Sequence, residues 1–474
     1  MCTGCVEDLV LADRNSESGR RFDRGLRIAL PVVTVVATFV VRTWGISRHS
    51  WVLGDQVRDW GLALGSFTQL PLVGPPTHVH GYTIGPAFYW ILWAIRVVVG
   101  PWFQNLPHAG GIGEAALQSA VDAILFVAIW KRTQSVWLSL TALVLLTTAS
   151  FDLAISATVW NPTMGSILAK AATALILLNW HRRSLLHAAI TAAIAWCAVH
   201  AYTGAVFAAL GVFAALIVDQ LSRGDRRTAW RNGLAVLVVV ALLQVPYLAH
   251  QLRSQPVDGG MTAVVVSLGN AVTGPTQVRL ADSARAYTFA LEYLQLSPWH
   301  GGAILWVVAA CGAISAIRYR RDPALLAITL LPQIAALVGY GFWIGDLEAY
   351  YYVSLMPAAV LTMLLGVWAV IPRRMDPVVG CALLVGALLL TPARFQFAAT
   401  LFRMPQYETF VRASRAIVRS RQPMRAVRAG FPIPPTSNPE FIFTILGGRI
   451  ERGAPWWAEI TPDSQVVYHQ ADER

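Results

Sequence analysis

The sequence predicts an all-α, polytopic membrane protein. Of its 474 residues, 55% are hydrophobic and only 13% are charged, whereas a soluble domain carries about a quarter charged. The apolar residues collect into runs of bilayer-spanning length, about 17 to 25 residues each. Short arginine clusters separate those runs, the pattern that orients spans in a membrane. The formal charge of +11 is accounted for by these clusters, so membrane lipids are expected partners and nucleic acid is not.

The runs lie at 26–45, 115–130, 134–150, 161–180, 185–199, 203–218, 233–249, 299–317, 323–344, 351–371 and 377–391. With the segments between them they predict a bundle of about 11 to 13 helices. Arg20/Arg21/Arg24/Arg27, Lys131/Arg132, Arg182/Arg183, Arg223/Arg226/Arg227/Arg231, Arg318/Arg320/Arg321 and Arg373/Arg374 then share one side, the cytoplasmic one. Loops 46–81, 151–160, 251–298 and 345–350 face the other side. Residues 1–25 are polar and read as a disordered cytoplasmic tail without a cleavable signal peptide. The run 82–100 upsets this alternation if it crosses, and it is expected to be re-entrant or tilted, with Gly85-Pro86 at its start and Arg96 inside it. The alternative is a true span whose Arg96 snorkels to the interface. The transmembrane module therefore covers residues 26–393.

From Arg394 the chain turns polar and arginine-rich. A helix is expected over 406–420 and β-strands over 441–446 and 465–469, with Gly447-Gly448 between them. Residues 394–474 thus read as a small extracytoplasmic α/β domain. The cysteines form no framework: Cys197, Cys311 and Cys381 lie in apolar runs, and Cys2 and Cys5 make a lone C-x-x-C.

The densest chemistry follows the first run, at Gly54-Asp55-Gln56-Val57-Arg58-Asp59. Wound as a helix, Asp55, Arg58, Asp59 and Leu62 fall on one side and Val57, Trp60, Leu64 and Phe67 on the other. The apolar side is expected to sink into the membrane interface and the charged side to face a cavity above the bundle. An amphipathic connector with merely solvated charges has the same pattern. Glu114, Gln118 and Asp122 recur every four residues on one face of a span, where charges face the bundle interior. Asp122 is expected to pair with Arg96 or to organise a lipid-carrier pocket.

The hexapeptide, with Leu70-Pro71-Leu72-Val73-Gly74-Pro75-Pro76 and Gly81-Tyr82-Thr83-Ile84-Gly85-Pro86-Ala87-Phe88-Tyr89-Trp90 after it, resembles the first external loop of bacterial glycosyltransferase family 39. That family belongs to the GT-C superfamily, with protein O-mannosyltransferases and the aminoarabinose transferase of lipid A. The likeness continues at Val159-Trp160-Asn161-Pro162, His200-Ala201-Tyr202 and Tyr350-Tyr351-Tyr352, covering roughly residues 26–371. It implies hexosyl or pentosyl transfer from a polyprenyl-phosphate-linked donor to a lipid, polysaccharide or protein acceptor. The expected place is the bacterial cytoplasmic membrane, with the active site on its external face. Asp55 takes the position of the family's first-loop acid and becomes the expected general base. Asp152, from the second external loop, becomes its expected catalytic partner. Arg58 is the first candidate to hold the leaving phosphate, Asp59 is counted with it among the substrate-binding residues, and His78, His80 and Tyr82 are further candidates. Arg279 and Arg285 in the long loop 251–298 are expected carrier contacts, and Tyr350 an expected sugar contact or interfacial anchor. Gln56 stands where many relatives carry a second acid, so neither a metal nor any other cofactor is expected. A lipid or sugar flippase, or a permease, is the competing class, with Asp122 as its coupling residue.

Overall fold

The computed structural model describes residues 28–46, 53–77, 81–253, 279–293, 302–343, 345–399, 406–420, 422–433 and 437–470, together with 262, 265, 266 and 269. Each of the eleven apolar runs contains a helix. In chain order the elements are α1 (Ile28–Thr43), the first-loop helix α2 (Gly54–Ala63), α3 (Ala87–Val99) and α4 (Pro107–Thr133). They continue with α5 (Val136–Thr147), the short α6 (Ser150–Ile155), α7 (Asn161–Leu177), α8 (Leu185–Ala201), α9 (Val206–Ser222) and α10 (Arg226–Arg253). After them come α11 (Leu280–Tyr293), α12 (Ala303–Arg318), α13 (Pro323–Thr329), α14 (Leu331–Gly341), α15 (Met356–Val370) and α16 (Asp376–Ala398). Among the described residues, 5 helices are long and apolar enough to cross a membrane, and α13 with α14, bent by 41° at the break between them, passes the same test only as a pair. The bend falls where Pro332 follows the break, a residue with no N–H to continue the helical ladder.

Local chemistry sets the helix starts. Ser135 and Asp322 accept from the backbone N–H of Leu138 and Leu325, and prolines stand in the first turns of α4, α7, α13 and α15. α7 is central, packing against α4 and α8, and one continuous apolar cluster runs from Leu125 and Leu138 through Ala172, Val199 and Leu216 to Val360. α3 spans 13 residues, about 20 Å of helix, and both its ends lie beside α2: Tyr89 on Asp59, and Arg96 on the carbonyls of Ala63, Leu64 and Gly65.

Part of the long loop is helical. α11 packs against α14 and the 3-10 turn at Ala349–Leu355, with Tyr287, Ala290 and Leu291 fully buried. The breaks at Gly259-Gly260 and Gly274-Pro275, and the Cys2/Cys5 pair, lie outside the described residues; Cys197, Cys311 and Cys381 are free thiols.

The C-terminal unit holds α17 (Tyr407–Ser420), β1 (Val427–Ala429), α18 (Pro439–Ile445), β2 (Trp456–Ile460) and β3 (Val466–Gln470). The sheet order is β1-β2-β3, parallel then antiparallel. The 441–446 strand expectation is corrected here: the segment is α18. Its β-branched and aromatic residues favoured a strand, but Asn438 caps the helix through a 3.1 Å bond from Phe441 N, and Pro439 and Glu440 fill its first turn. Asn438→Ala is expected to cost about 1 kcal/mol, seen as faster amide exchange across α18.

A second correction concerns the apolar side of α2. Val57 and Leu53 pack into the C-terminal cluster around Tyr407, Phe410 and Phe443, while the fully buried Trp60 packs with Phe88, Leu92 and Phe441. His108 and the Tyr407 hydroxyl are 2.9 Å apart, and Arg415 donates to Gln104 at 2.9 Å. Protein therefore packs on Val57, Trp60 and Leu64, while Phe67, beyond the end of α2, stays 50% exposed.

Candidate functional site

α2 is held at both ends. Gln56, turned back on its own helix, accepts from Leu53 N at 3.1 Å and is buried. The residue that stands in place of a second acid therefore caps the helix. At the other end, Arg96 donates to Ala63 O at 2.9 Å and to Gly65 O at 2.8 Å, meeting the carbonyls that a helix C-terminus leaves unpaired. This occupies the guanidinium and corrects the expected Arg96–Asp122 pair.

Between those ends Arg58 lies between two acids. Its Nη1 donates to Asp55 Oδ1 at 2.8 Å, while Nε and Nη2 grip Asp59 Oδ1 and Oδ2 at 2.8 and 3.1 Å. Asp55 keeps 59% of its side chain exposed and Asp59 is buried. Tyr89 adds a third bond, its hydroxyl donating to Asp59 Oδ1 at 2.9 Å. Burial pushes the Asp59 carboxyl above its ordinary range, against the pull of Arg58. The guanidinium also loses water, yet Asp59 and then Asp55 hold it protonated, above its ordinary value. One carboxylate is thus a structural anchor, and the other is presented to solvent.

Other groups close around this face. Glu114 on α4 is fully buried, faces the Trp160 backbone and the charge of Asp59, and makes no ion pair among the described residues. The Trp160 ring meets Tyr350 at 5.4 Å, and Asp55 is among the charges that act on Tyr350. Tyr82 is 42% exposed and meets the ring of His250 at 5.8 Å. The glycine-rich loop is closed by its own backbone: Gly74 N donates to Thr83 O and Thr83 N to Pro75 O, each at 2.9 Å. A Cβ on Gly85 would stand 2.2 Å from His200 Nδ1. Gly85→Ala is expected to cost about 1 to 3 kcal/mol through overpacking, read as a lower thermal midpoint that Gly85→Ala/His200→Ala recovers.

Asp152 lies deeper and has other partners. It accepts from Arg42 Nη2 at 2.8 Å and from Gln118 Nε2. Arg42 Nη1 also reaches Asp122 Oδ2 at 2.6 Å, and Lys170 Nζ donates to Asp122 Oδ1 at 2.7 Å. Two cations and two carboxylates therefore make a closed, neutral, buried network. The ladder Glu114, Gln118, Asp122 does share one face of α4, and it descends from Asp59 to this network, about 6 Å per step. No contact joins Asp152 to Asp55 among the described residues.

Arg279 and Arg285 both pair with Asp282, at 3.0 and 3.8 Å, and Arg279 N donates to Gly341 O. His78 and His80 lie outside the described residues. Sequence reasoning missed Tyr89, Arg42 and Lys170. A lone Lys170 within the run 161–180 was the available signal, since a buried cation requires a counter-ion.

No protein-family model and no curated protein sequence matches the chain. Solved structures do. ArnT from Cupriavidus metallidurans in the apo state superposes with a TM-score of 0.52 at 14% identity, over 92% of this chain and 93% of that one. The same enzyme bound to undecaprenyl phosphate gives 0.51 at 14% identity, over 88% and 84%. The Archaeoglobus fulgidus oligosaccharyltransferase in its apo form gives 0.46 at 12% identity, over 92% and 66%. With its apolar helices, first-loop helix and small C-terminal sheet, the chain has the GT-C-like fold of the ArnT structures.

Proposed function

We propose that this protein is a glycosyltransferase that moves a hexose or pentose from a polyprenyl-phosphate carrier to an acceptor hydroxyl. The observation that carries this reading is the exposed Asp55 carboxylate on Arg58, whose other edge is already fixed by buried Asp59. The undecaprenyl phosphate bound by the ArnT of similar fold supports the carrier class. In the proposed step, Asp55 takes the acceptor O–H proton as the oxygen bonds to the anomeric carbon. The bond from that carbon to the phosphate oxygen breaks, and the phosphate leaves with the electron pair. Arg58 Nη1 stabilises that charge, exchanging its bond with Asp55 for one with phosphate. The exchange frees the base when the donor docks.

The remaining candidates fit around this pair. Tyr82 and Tyr350 offer ring faces to the sugar or acceptor, and Arg285, 81% exposed, is available to a phosphate. Asp152 serves as the counter-ion of Arg42, and Glu114 takes the place nearer Asp59. We place the site on the external face of a bacterial cytoplasmic membrane, because Arg132, Arg182 and Asp219 gather at the opposite end of the bundle with Arg223. A permease using Asp122 for coupling fits less well, because Lys170 and Arg42 already occupy both its oxygens.

The test is chemical. Purified protein given undecaprenyl-phosphate-linked sugars and envelope acceptors should release undecaprenyl phosphate in step with glycosylated product. Transbilayer movement of the intact carrier, without cleavage, would overturn the transferase reading.

A further inference from the structure

α7 starts beside Glu114 and Tyr350 and ends at Leu177, about 26 Å away. At that far end, the turn after α7 and the turn between α9 and α10 enclose a cavity of about 300 Å³. Its walls include His181, Arg182, Ser184, Arg223, Arg231 and Asn232. From residue 179 to 235 the chain has six arginines and two aspartates, 6 − 2 = +4. Both aspartates are committed. Asp219 is buried and accepts from Arg182 at 2.7 and 2.6 Å, with His181 Nε2 at 3.1 Å and Arg223 Nε at 3.7 Å. Asp225 accepts from Thr228 N at 2.9 Å.

The exposed arginines leave the cavity with donor capacity. Arg231 makes no ion pair within 4 Å among the described residues, although its charge acts on Asp225, which also lines the cavity, and Arg223 is 51% exposed. His181 is 2% exposed, lies in the wall, and its Nδ1 has no hydrogen-bond partner. The start of α8, capped by Ser184, adds its positive dipole end. Next in sequence to the lining residues Leu185 and Arg231, Leu186 and Trp230 are 66% and 75% exposed, and Leu234, three residues after Arg231, is 52% exposed. An aromatic and two leucines beside a cationic cavity match a lipid, with its phosphate inside and its chains along the apolar rim.

We propose that this cavity binds the headgroup phosphate of an anionic phospholipid, through Arg223 and Arg231. The ligand and the end of the bundle both differ from those of the transferase site, and the inference does not depend on that reading. The experiment is a titration of the full-length protein in neutral detergent with phosphatidylglycerol, phosphatidylcholine or inorganic phosphate, counted by native mass spectrometry. Phosphatidylglycerol should bind at one site, and Arg223→Ala/Arg231→Ala should weaken it by about tenfold or more, about 1.4 kcal/mol. Both substituted side chains are exposed, so folding is expected to persist; Arg412→Ala, an exposed change in the C-terminal unit, should leave the affinity unaltered. Equal affinity in the double variant, equal binding of phosphatidylcholine, or inorganic phosphate that phosphatidylglycerol cannot displace would each overturn the proposal.

Discussion

Asp55→Asn should lower sugar transfer by about 10² to 10⁴-fold while carrier binding persists. Asparagine keeps the size of the side chain and an oxygen for Arg58 Nη1, so the local geometry has little cause to change. Only the ability to take a proton is lost. Single-turnover transfer measured beside carrier affinity separates these effects: a general base lowers kcat, whereas a residue that only holds phosphate raises KM. Transfer at the wild-type rate would remove Asp55 from the mechanism. Asp59→Asn should behave differently, because it weakens the buried partner of Arg58 and takes α2 and Tyr89 with it. Its loss should appear in the unfolding midpoint as well as in turnover.

The largest stability effect is expected at Asp122→Ala. That change leaves Arg42 and Lys170, both buried, facing the single carboxylate of Asp152. Leaving a buried charge unpaired costs about 3 to 5 kcal/mol, which thermal unfolding in detergent would register as a large downward shift. Lys170→Met combined with Asp122→Asn restores neutrality, with Arg42 still on Asp152, and should be less damaging than Asp122→Ala alone. If Asp122→Ala unfolds like the wild type, the network has no stabilising part.

Hydropathy alone made the bundle legible, because a bilayer requires each spanning backbone to close its own hydrogen bonds. The runs at 115–130 and 233–249 lie inside α4 and α10, each longer than its apolar window. The charged face of α2 was legible for the same reason, from periodicity. Its apolar face was not, since a helix pattern shows that a surface must be covered and says nothing of what covers it. The tail sequence that does so, around Phe410 and Phe441, is 350 residues distant or more. The counter-ions of Asp122 were hidden in a similar way: nothing in spacing places α1 and α7 beside α4. The segment 441–446 misled because its side chains favour strands while Asn438-Pro439-Glu440 starts a helix, and the start signal prevailed.

The packing beneath α2 has a mechanical consequence. An interfacial helix that floats on lipid rises and falls with the thickness and fluidity of the surrounding leaflet. Here the acid-bearing helix is fixed on its apolar side by Tyr407, Phe443 and their neighbours, and through Arg96 and Trp60. Its height is therefore measured from the protein's own frame, so Asp55 and Arg58 keep their place relative to Tyr89 and Glu114 when the bilayer around them changes.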